Sequence, residues 1–367
     1  MLQKILKSVI FISCITIVTA FSFIIGSANE LSFSVEPTLP NNQINTKDGF
    51  FNLLLKPGQE EELHLKYSNN TDKPITVTTK VASASTNANG AVDYGDLTAK
   101  ADKSLKYALP DLVTIPTDVK LKAHESKDVI FKVKMPDEKF DGIIAGGLTF
   151  NDQAADNATQ EGTSKTAIKN IYGFQLALLM RQNEDLSNSF PVAKVAKDGL
   201  KLKSVKASQV NYRNVIDANL QNPLPVYINQ FGVIAKVYSA DGKKLLYQSK
   251  RSTMQMAPNT NFNYSINLDS GERLKPGKYL LKLTAFAEKN GQANYETRAF
   301  DDKKAEKYQY RWQFEREFTI KGSVAESLNR KDVTIKSTDW TSILVGVVCL
   351  LALIFGVGWF LIKKRQK

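Results

Sequence analysis

The amino-acid sequence predicts an all-β fold of two tandem immunoglobulin-like β-sandwiches followed by one C-terminal transmembrane helix. Three observations lead to this prediction. Short runs in which apolar and polar residues alternate fill most of residues 31–321, and this period of two is typical of half-buried strands. Pro-Gly, Asn-Gly and Asp-Gly pairs separate the runs, as turns do in antiparallel sheets. Residues 340–362 are 23 residues without a charge, which is long enough to cross a bilayer as a helix.

The first 28 residues have the pattern of a secretory signal peptide. Two lysines precede an apolar run over residues 8–25, and residues 26–28 are the small residues that a signal peptidase recognises. The mature chain is therefore expected to begin at Asn29. Lipoprotein processing at Cys14 is the alternative, but the residues before it match that motif poorly and the apolar run continues beyond it.

Two sets of predicted strands follow, each large enough for one sandwich of immunoglobulin type. The expected domains are residues 29–185 and residues 190–321, and they join at a polar stretch that ends with Pro191. The first set lies near residues 31–36, 50–56, 61–68, 74–82, 119–123, 127–135, 142–150 and 171–180. The second set lies near residues 200–207, 212–221, 226–239, 243–250, 261–268, 277–287 and 309–320.

The carboxyl end has the pattern of a membrane anchor. Residues 322–339 are expected to form a juxtamembrane linker before the transmembrane helix at residues 340–362. Lys363-Lys364-Arg365 follows at once, and basic residues beside a membrane span stay on the cytoplasmic side. The large middle part of the chain is therefore expected to be exported, with residues 363–367 as a cytoplasmic tail.

Charge and cysteine usage narrow the class of protein. The net charge is +12, but residues 1–28 and 340–367 together hold six basic residues and no acidic one, so the middle carries only +6. This weakens a nucleic-acid role, and no nucleic-acid partner is expected. The two cysteines, Cys14 and Cys349, fall in the predicted signal peptide and membrane span. An exported region without cysteine favours a bacterial surface protein that is stabilised by hydrophobic cores alone.

Three predicted loops are too long to be plain turns, namely residues 83–109, 151–170 and 288–307. Long loops on a rigid sandwich are common binding surfaces, although residues 151–167 have the composition of an inert loop. Side chains of the first and third loops could stack on sugars or fill partner pockets, or could pack beneath their own loop instead. The candidate ligand-binding or partner-binding residues are Asn87, Asn89, Tyr94, Tyr107, Tyr295, Arg298 and Phe300.

The sequence offers little for catalysis, and no catalytic residue, cofactor or metal site is predicted. His64 falls on the polar face of a predicted strand and His124 in a turn-like stretch, and the chain has no Gly-x-Ser-x-Gly motif. Asp93, Asp96 and Asp102 leave open a carboxylate-based glycan hydrolase or a calcium site. They lack the spacing of a calcium loop, and two lone histidines without thiolates cannot build a closed zinc site.

A series of short motifs runs along nearly the whole chain. In the first half they are Phe33-Ser34-Val35-Glu36-Pro37, Pro40-Asn41-Asn42-Gln43, residues 84–90 with Asp93-Tyr94, and Met135-Pro136 with residues 142–150. In the second half they are Met256-Ala257-Pro258-Asn259, Leu274-Lys275-Pro276-Gly277-Lys278-Tyr279 and residues 312–320. In their order and joint presence they resemble the WxL-interacting proteins of Gram-positive bacteria. The layout of signal peptide, two domains and single span is similar too.

The resemblance implies a membrane-anchored surface protein without catalytic activity. Its first domain would bind peptidoglycan, its second would bind host or extracellular-matrix components, and it would associate with secreted WxL-domain proteins. Trp359-Phe360-Leu361 spells the WxL pattern inside the predicted span, and this says nothing about membership of that partner family. Two alternatives stay open: an assembly chaperone that adds a strand to a secreted subunit, and the carboxylate-based hydrolase of wall glycans.

Overall fold

The computed structural model describes residues 31–153, 173–268, 271–289, 294–301 and 303–335, together with Val348. Strands dominate these residues, and the predicted all-β fold is confirmed. The predicted signal peptide, the cytoplasmic tail and all of the predicted membrane span except Val348 lie outside the described residues, as does most of the predicted loop at 151–170. Within the described ranges, no helix has the length and apolar character needed to cross a membrane.

The chain forms two compact units. Unit 1 comprises the residues up to Ala82, Leu109–Phe140 and Gly146–Gln182, and unit 2 comprises Ser83–Ala108, Asp141–Ala145 and the residues from Asn183 onward. The chain therefore leaves unit 1 at three points, after Ala82, Phe140 and Gln182. Two parts of unit 2 thus come from within residues 29–185, the range that the sequence assigns to the first domain.

Unit 1 is built from a four-stranded and a five-stranded sheet. In chain order the first eleven strands are β1 (Phe33–Thr38), β2 (Phe51–Leu54), β3 (Glu60–Asn69), β4 (Ile75–Ser83), β5 (Ser85–Thr86), β6 (Val92–Asp93), β7 (Val113–Thr114), β8 (Asp118–Leu121), β9 (Ser126–Lys134), β10 (Ile144–Asp152) and β11 (Gly173–Arg181). The strand orders are β1-β3-β9-β7 and β2-β11-β10-β4-β8, with β2 parallel to β11. β5 and β6 lie in the part of the chain that belongs to unit 2, and they pair with each other in a separate ribbon.

Aromatic contacts hold the two sheets of unit 1 face to face. Strand alternation buries Tyr67 of β3 while its neighbour Lys66 faces solvent, as the period of two requires. The ring of Tyr67 lies 5.6 Å from that of Phe150 in β10, edge to face. Phe51 of β2 and Phe131 of β9 make a similar contact at 5.7 Å. Because each pair joins one strand of either sheet, the core of unit 1 lies between the sheets.

Unit 2 contains a three-stranded sheet, β12-β13-β16, and a five-stranded sheet, β15-β14-β17-β19-β18. Within residues 183–335 that the structure describes, two short α-helices flank the strands. The elements are α1 (Val192–Asp198), β12 (Lys201–Val210), β13 (Arg213–Asn222), β14 (Ile228–Ser239), β15 (Leu245–Met256), β16 (Thr260–Asn267), β17 (Gly277–Lys289), β18 (Tyr295–Thr297), β19 (Glu306–Ile320) and α2 (Gly322–Lys331).

One hydrophobic cluster fills the space between the sheets of unit 2. It includes Ile216 of β13 and Phe262 of β16 from one sheet, and Val233 of β14 and Trp312 of β19 from the other. Ala325 of α2 is also buried in it. α2 therefore belongs to the folded unit, although the sequence places its residues in a juxtamembrane linker.

Candidate functional site

Unit 1 carries a groove of 740 Å³ at the end of β2. One wall is fixed by the amide of Gln182, whose Nε2 donates to the backbone oxygens of Pro136 at 3.1 Å and Glu138 at 2.9 Å. These hydrogen bonds fix the position of this wall within the fold. The lining residues are Asn42, Leu54, Leu55, Lys56, Pro57, Gly58, Gln59 and Gln182.

Gln43 holds the loop that brings Asn42 to this groove. The buried Nε2 of Gln43 donates to the backbone oxygens of Asn45 and Phe50, at 3.1 and 2.9 Å. Its Oε1 accepts the backbone N–H of Asn52 at 2.9 Å. The position of Asn42 is therefore set by its neighbours, and its own side chain is not needed to hold the loop.

The side-chain amide of Asn42 is the unusual feature of the groove. Its nitrogen and its oxygen are both shielded from solvent, and neither has a hydrogen-bond partner among the described residues. Leaving a buried amide without a partner costs roughly 1–3 kcal/mol, and native proteins rarely do so. A polar ligand in the groove would supply the missing acceptor and donor if the Asn42 side chain turned toward it.

In unit 2, Ser83–Ala108 folds against the sandwich, and we name it the docked segment. Thr86 is buried, and its Oγ1 lies 2.7 Å from Oγ1 of Thr260 in β16. The backbone oxygen of Gly90 accepts the N–H of Gln255 in β15 at 2.8 Å. The predicted loop at 83–109 is therefore held in place at its beginning.

Asp102 holds the far end of the docked segment. Its Oδ1 accepts Nε2 of Gln221 at 2.7 Å and its Oδ2 accepts Nδ2 of Asn261 at 2.6 Å. Burial by itself would raise the pKa of Asp102, but these bonds and those from Ser104 together lower it. The carboxylate is therefore ionised at neutral pH and acts as a structural acceptor.

Asn87 and Asn89, two of the predicted binding residues, have different surroundings. The Oδ1 of Asn87 accepts the backbone N–H groups of Asn89 at 2.9 Å and Ala91 at 3.1 Å, so this side chain shapes its own turn. Asn89 itself is exposed. Of the two, only Asn89 presents its side chain freely to solvent.

Tyr94 and Tyr107, the predicted aromatic residues of the first loop, are both half-buried. The hydroxyl of Tyr94 lies 3.1 Å from that of Tyr227, and burial raises the pKa of Tyr94 against the effect of this hydrogen bond. The ammonium of Lys106 lies 4.8 Å from the centre of the Tyr107 ring. Tyr94 thus ties the docked segment to Tyr227, whereas this contact of Tyr107 lies within the segment.

Three neighbouring strands of the five-stranded sheet each contain a residue in the left-handed region, and we name this set the bulge line. Its members are Gln230 of β14 (φ +47°), Thr253 of β15 (φ +61°) and Glu288 of β17 (φ +56°). The pairing of β14 with β15 shifts register on both sides of Phe231. Irregularities of this kind are over-represented beside functional sites.

A chain of hydrogen bonds links the bulge line to the docked segment. Oε1 of Glu288 accepts Nδ2 of Asn229 at 3.0 Å, and Oδ1 of Asn229 accepts Nε2 of Gln255 at 2.7 Å. Gln255 in turn donates its backbone N–H to Gly90. Burial raises the pKa of Glu288, against the hydrogen bonds from Asn229. Docked segment and bulge line therefore form one connected polar surface layer of unit 2.

Tyr295, Arg298 and Phe300, the predicted residues of the third loop, lie on the segment around β18. The guanidinium of Arg311 lies 4.6 Å from the centre of the Tyr295 ring. Phe300 covers Gly232, where an added Cβ would lie 2.7 Å from the ring. Arg298 is exposed. Phe300 thus has a packing role, and Arg298 alone of the three is free to solvent.

The residues considered for catalysis occupy unremarkable positions. Asp93 and Asp96 accept hydrogen bonds within their own turns. The hydrogen bonds from Thr98 lower the pKa of Asp96, whereas a general acid for glycan cleavage needs a raised pKa. His64 is exposed on β3, as predicted. His124 is exposed beside Asp72, with its Nε2 2.7 Å from Oδ1. In the part of the chain that the structure describes, no group of three or more candidate ligands could hold a metal ion.

Sequence reasoning missed Asn42 and Gln43 as site residues. Both belong to the Pro40-Asn41-Asn42-Gln43 motif, so the motif carried a signal that strand periodicity does not use. It also missed the anchoring roles of Thr86, which lies in the motif at residues 84–90, and of Asp102, which was considered only as a carboxylate for catalysis or calcium.

Two family models match the chain, one after the other. Residues 33–152 match the model described as WxL Interacting Protein, peptidoglycan binding domain. Residues 163–330 match the model described as WxL Interacting Protein, host binding domain. Together they account for most of the chain. No curated protein matches it.

Among solved structures, similarity is distant. The E. coli chaperone DraB has 13% identity over 79% of this chain and 98% of its own, with a TM-score of 0.26. The CupB2 chaperone of Pseudomonas aeruginosa has 11% identity over 72% of this chain and 96% of its own, with a TM-score of 0.25. A PapD-like domain of human CEP192 has 13% identity over 45% of this chain and 96% of its own, with a TM-score of 0.26. Scores this low carry no conclusion about the chain.

Proposed function

The chain belongs to the family of WxL-interacting proteins, and we propose that it is a non-catalytic, membrane-anchored cell-surface protein that binds peptidoglycan and a protein partner. The observation that carries the proposal is the match of a peptidoglycan-binding and a host-binding model in succession along one chain. The protein partners proposed are WxL-domain surface proteins, which follow from the family name, and host extracellular-matrix proteins.

The location proposed is the outer face of the cell membrane. The sequence pattern of a signal peptide at residues 1–28 and of a span at residues 340–362 supports it. The basic residues after the span favour a cytoplasmic tail at residues 363–367. Both units would then face the cell wall.

We propose that both units are sandwiches of the immunoglobulin type. In that type, strands A, B, E and D form one sheet and C, F and G the other. Taking β1, β3, β4, β7, β9, β10 and β11 as A to G, the strand orders of unit 1 agree with this scheme. In unit 2, β12, β13 and β16 correspond to A, B and E, and β14, β17 and β19 to C, F and G.

Within unit 1, we assign peptidoglycan to the Asn42 groove. The amino sugars of peptidoglycan carry acetamido groups, each with one N–H donor and one carbonyl acceptor. The Asn42 amide offers the complementary acceptor and donor. Leu54 and Pro57 add apolar surface for the C–H face of a sugar ring. A few polar groups among apolar walls are typical of ligand sites.

Within unit 2, we assign the protein partner to the layer formed by the docked segment and the bulge line. Asn89 of the docked segment is exposed and available for contact, and Arg298, on the segment around β18, is a second exposed candidate. Strand addition to β15 has less support, because Gly90 already accepts the backbone N–H of Gln255 on that strand. Loop side chains are therefore favoured over the β15 edge.

The substitution Asn42→Leu tests the groove. Leucine is similar in size and has no polar atoms to satisfy, so we expect the thermal stability to be unchanged or higher. Binding of the detergent-solubilised full chain to sacculi stripped of anionic polymers should be lost. Co-sedimentation at low and high salt measures this binding, because surface charge alone can imitate recognition at low ionic strength.

Asn41→Leu is the matched control, because Asn41 is the adjacent amide and is exposed. It should leave co-sedimentation intact. If both variants, or neither, lost binding, the groove would not be the wall site. Failure of the unaltered chain to sediment with sacculi at high salt would refute peptidoglycan binding itself.

A further inference from the structure

Unit 2 exposes apolar side chains at the turn between β12 and β13. Tyr212 is 70% exposed and Val333 is 72% exposed, the two highest values for large hydrophobic residues in the described ranges. The backbone N–H of Val333 donates to the oxygen of Tyr212 at 3.0 Å, so the two residues are neighbours. Val210, at the end of β12, is 38% exposed. We name Val210, Tyr212 and Val333 the foot.

Tyr212 occupies a backbone conformation that suits a tyrosine poorly. Asn211 and Tyr212 form a two-residue turn with φ values of +50° and +57°. Such turns favour Asn-Gly, because glycine adopts positive φ without strain, and a bulky residue there is uncommon. Because the ring is exposed, it adds little buried surface that could offset this strain. A strained and exposed residue of this kind is a candidate for a role outside the fold.

The end of the described chain is clamped to this turn. The buried carboxylate of Asp332 accepts the backbone N–H of Asn214 at 2.7 Å. The buried amide oxygen of Asn329 accepts Nδ2 of Asn214 at 2.9 Å. Asn214 follows the turn by two residues, so the chain approaching Ile335 runs beside the foot and is fixed to it.

The uncharged stretch begins close to this clamp. Only residues 336–339 separate Ile335 from residues 340–362. An extended chain spans at most about 3.6 Å per residue, so the five steps from Ile335 reach about 18 Å. If that stretch crosses a bilayer, as the proposed function holds, the foot lies near the surface of the same bilayer.

We propose that the foot rests in the interface of the lipid bilayer that anchors this chain. Tyrosine is enriched at membrane interfaces, where its ring meets the acyl boundary and its hydroxyl meets water. Nearby cations would attract anionic headgroups. The exposed basic residues of this end are Arg213, Arg330 and Lys331. Contact of this kind would hold unit 2 in one orientation above the membrane.

The test uses the full chain in vesicles of phosphatidylglycerol and phosphatidylethanolamine that contain a lipid with a nitroxide on its headgroup. Both native cysteines are replaced by serine, and a polarity-sensitive fluorophore is attached at Val210→Cys or at Asn89→Cys. Asn89 serves as the distant control, because β13 runs from the foot to Asn222, which pairs with Thr260 beside the docked segment. We expect strong quenching at position 210 and none at position 89.

The variant Tyr212→Gly with Val333→Ser shows whether the foot makes the contact. Glycine suits the turn, so the fold should be kept, and the quenching at position 210 should be lost. Equal quenching at positions 210 and 89, or quenching that persists in the variant, would overturn the proposal.

Flotation of the vesicles separates this inference from the anchor on which it rests. A chain that floats with the vesicles but shows no quenching at position 210 refutes the foot alone. A chain that does not float refutes the proposed anchor, and the foot with it.

Discussion

Glu288 and Glu306 have opposite pKa shifts, although they lie on the adjacent strands β17 and β19. Burial raises the pKa of Glu288 in spite of its hydrogen bonds from Asn229. Hydrogen bonds from Lys289 and Tyr308 lower the pKa of Glu306. The fold therefore disfavours the charge of Glu288 and favours that of Glu306. Neutralising each carboxylate in turn should change the stability in opposite directions.

Glu288→Gln should stabilise the protein at neutral pH. A carboxyl whose pKa is raised on folding contributes most at acidic pH, and its contribution falls as the pH rises through the folded-state pKa. Glutamine keeps an acceptor for Asn229 and cannot ionise. The stability advantage of the variant should therefore grow between about pH 4 and pH 7, as measured by denaturant unfolding.

Glu306→Gln is the control with the reverse sign. Its lowered pKa means that the carboxylate stabilises the fold above the unfolded-state pKa and loses that effect in acid. This variant should be less stable than the unaltered chain at pH 7 and equal to it in acid. A stability loss at pH 7 for Glu288→Gln as well would contradict the burial argument.

At the level of single residues, the sequence predicted which side chains of a strand face solvent, because the alternation of apolar and polar residues decides this. The solvent-facing position of His64 is confirmed, because its neighbours on β3 alternate in burial. The unmet amide of Asn42 could not be predicted, because it depends on which groups surround it in three dimensions. The roles of Asn89 and Arg298 as partner contacts stay predictions.

At the level of elements, period-two patterns located strands closely. The strand predicted at 127–135 is β9 (Ser126–Lys134), and that predicted at 277–287 is β17 (Gly277–Lys289). The bulge line had no signal, because Gln230, Thr253 and Glu288 are not residue types that mark positive φ. The positive φ values of these residues result from the packing of neighbouring strands on one another.

Gly232→Ala tests how β14 and the segment bearing Phe300 fit together. The new methyl group would overlap the Phe300 ring, which lies 2.7 Å from the added Cβ. We expect a loss of stability of about 1–3 kcal/mol, as for other overpacked sites. Hydrogen exchange should show faster opening of the described residues 294–301, because Phe300 must move away.

Phe300→Ala provides the control background for that substitution. With the ring removed, Gly232→Ala should cost much less, so the two effects should not add. Additive effects would mean that the overlap with Phe300 is not the source of the destabilisation.

At the level of the whole molecule, residues adjacent in sequence are divided between the units. The docked segment lies between Ala82 and Leu109 of unit 1, yet it belongs to unit 2. Its contacts have the long sequence separations that local patterns cannot reveal, 174 residues for Thr86 and Thr260. This explains why strand prediction succeeded while the partition of the chain was not foreseen.

Removing the anchors of the docked segment should weaken unit 2 selectively. Thr86→Val combined with Asp102→Ala removes one partner of Thr260, which keeps its bond to Ala257, and removes the acceptor of the buried Gln221. A buried group without its partner costs roughly 1–3 kcal/mol. Hydrogen exchange by mass spectrometry should show lost protection in β13 and β16. Protection of β3 and β9 in unit 1 should be unchanged.

Thr98→Val with Asp96→Ala is the matched control, because that pair is hydrogen-bonded only within its own turn of the docked segment. It should leave the protection of β13 and β16 as it was. Faster exchange confined to unit 1 in the anchor variant would contradict the assignment of the segment to unit 2.

The docked segment also constrains the order in which a newly made chain can fold. Thr86 leaves the ribosome 174 residues before Thr260, its partner. Until then the segment has no surface to cover, and a nascent chain stopped between these residues would keep it unpaired. Pairings this distant are late and slow to form. Docking of this segment therefore waits for residues that are made much later, and a premature stop before Thr260 would leave it exposed.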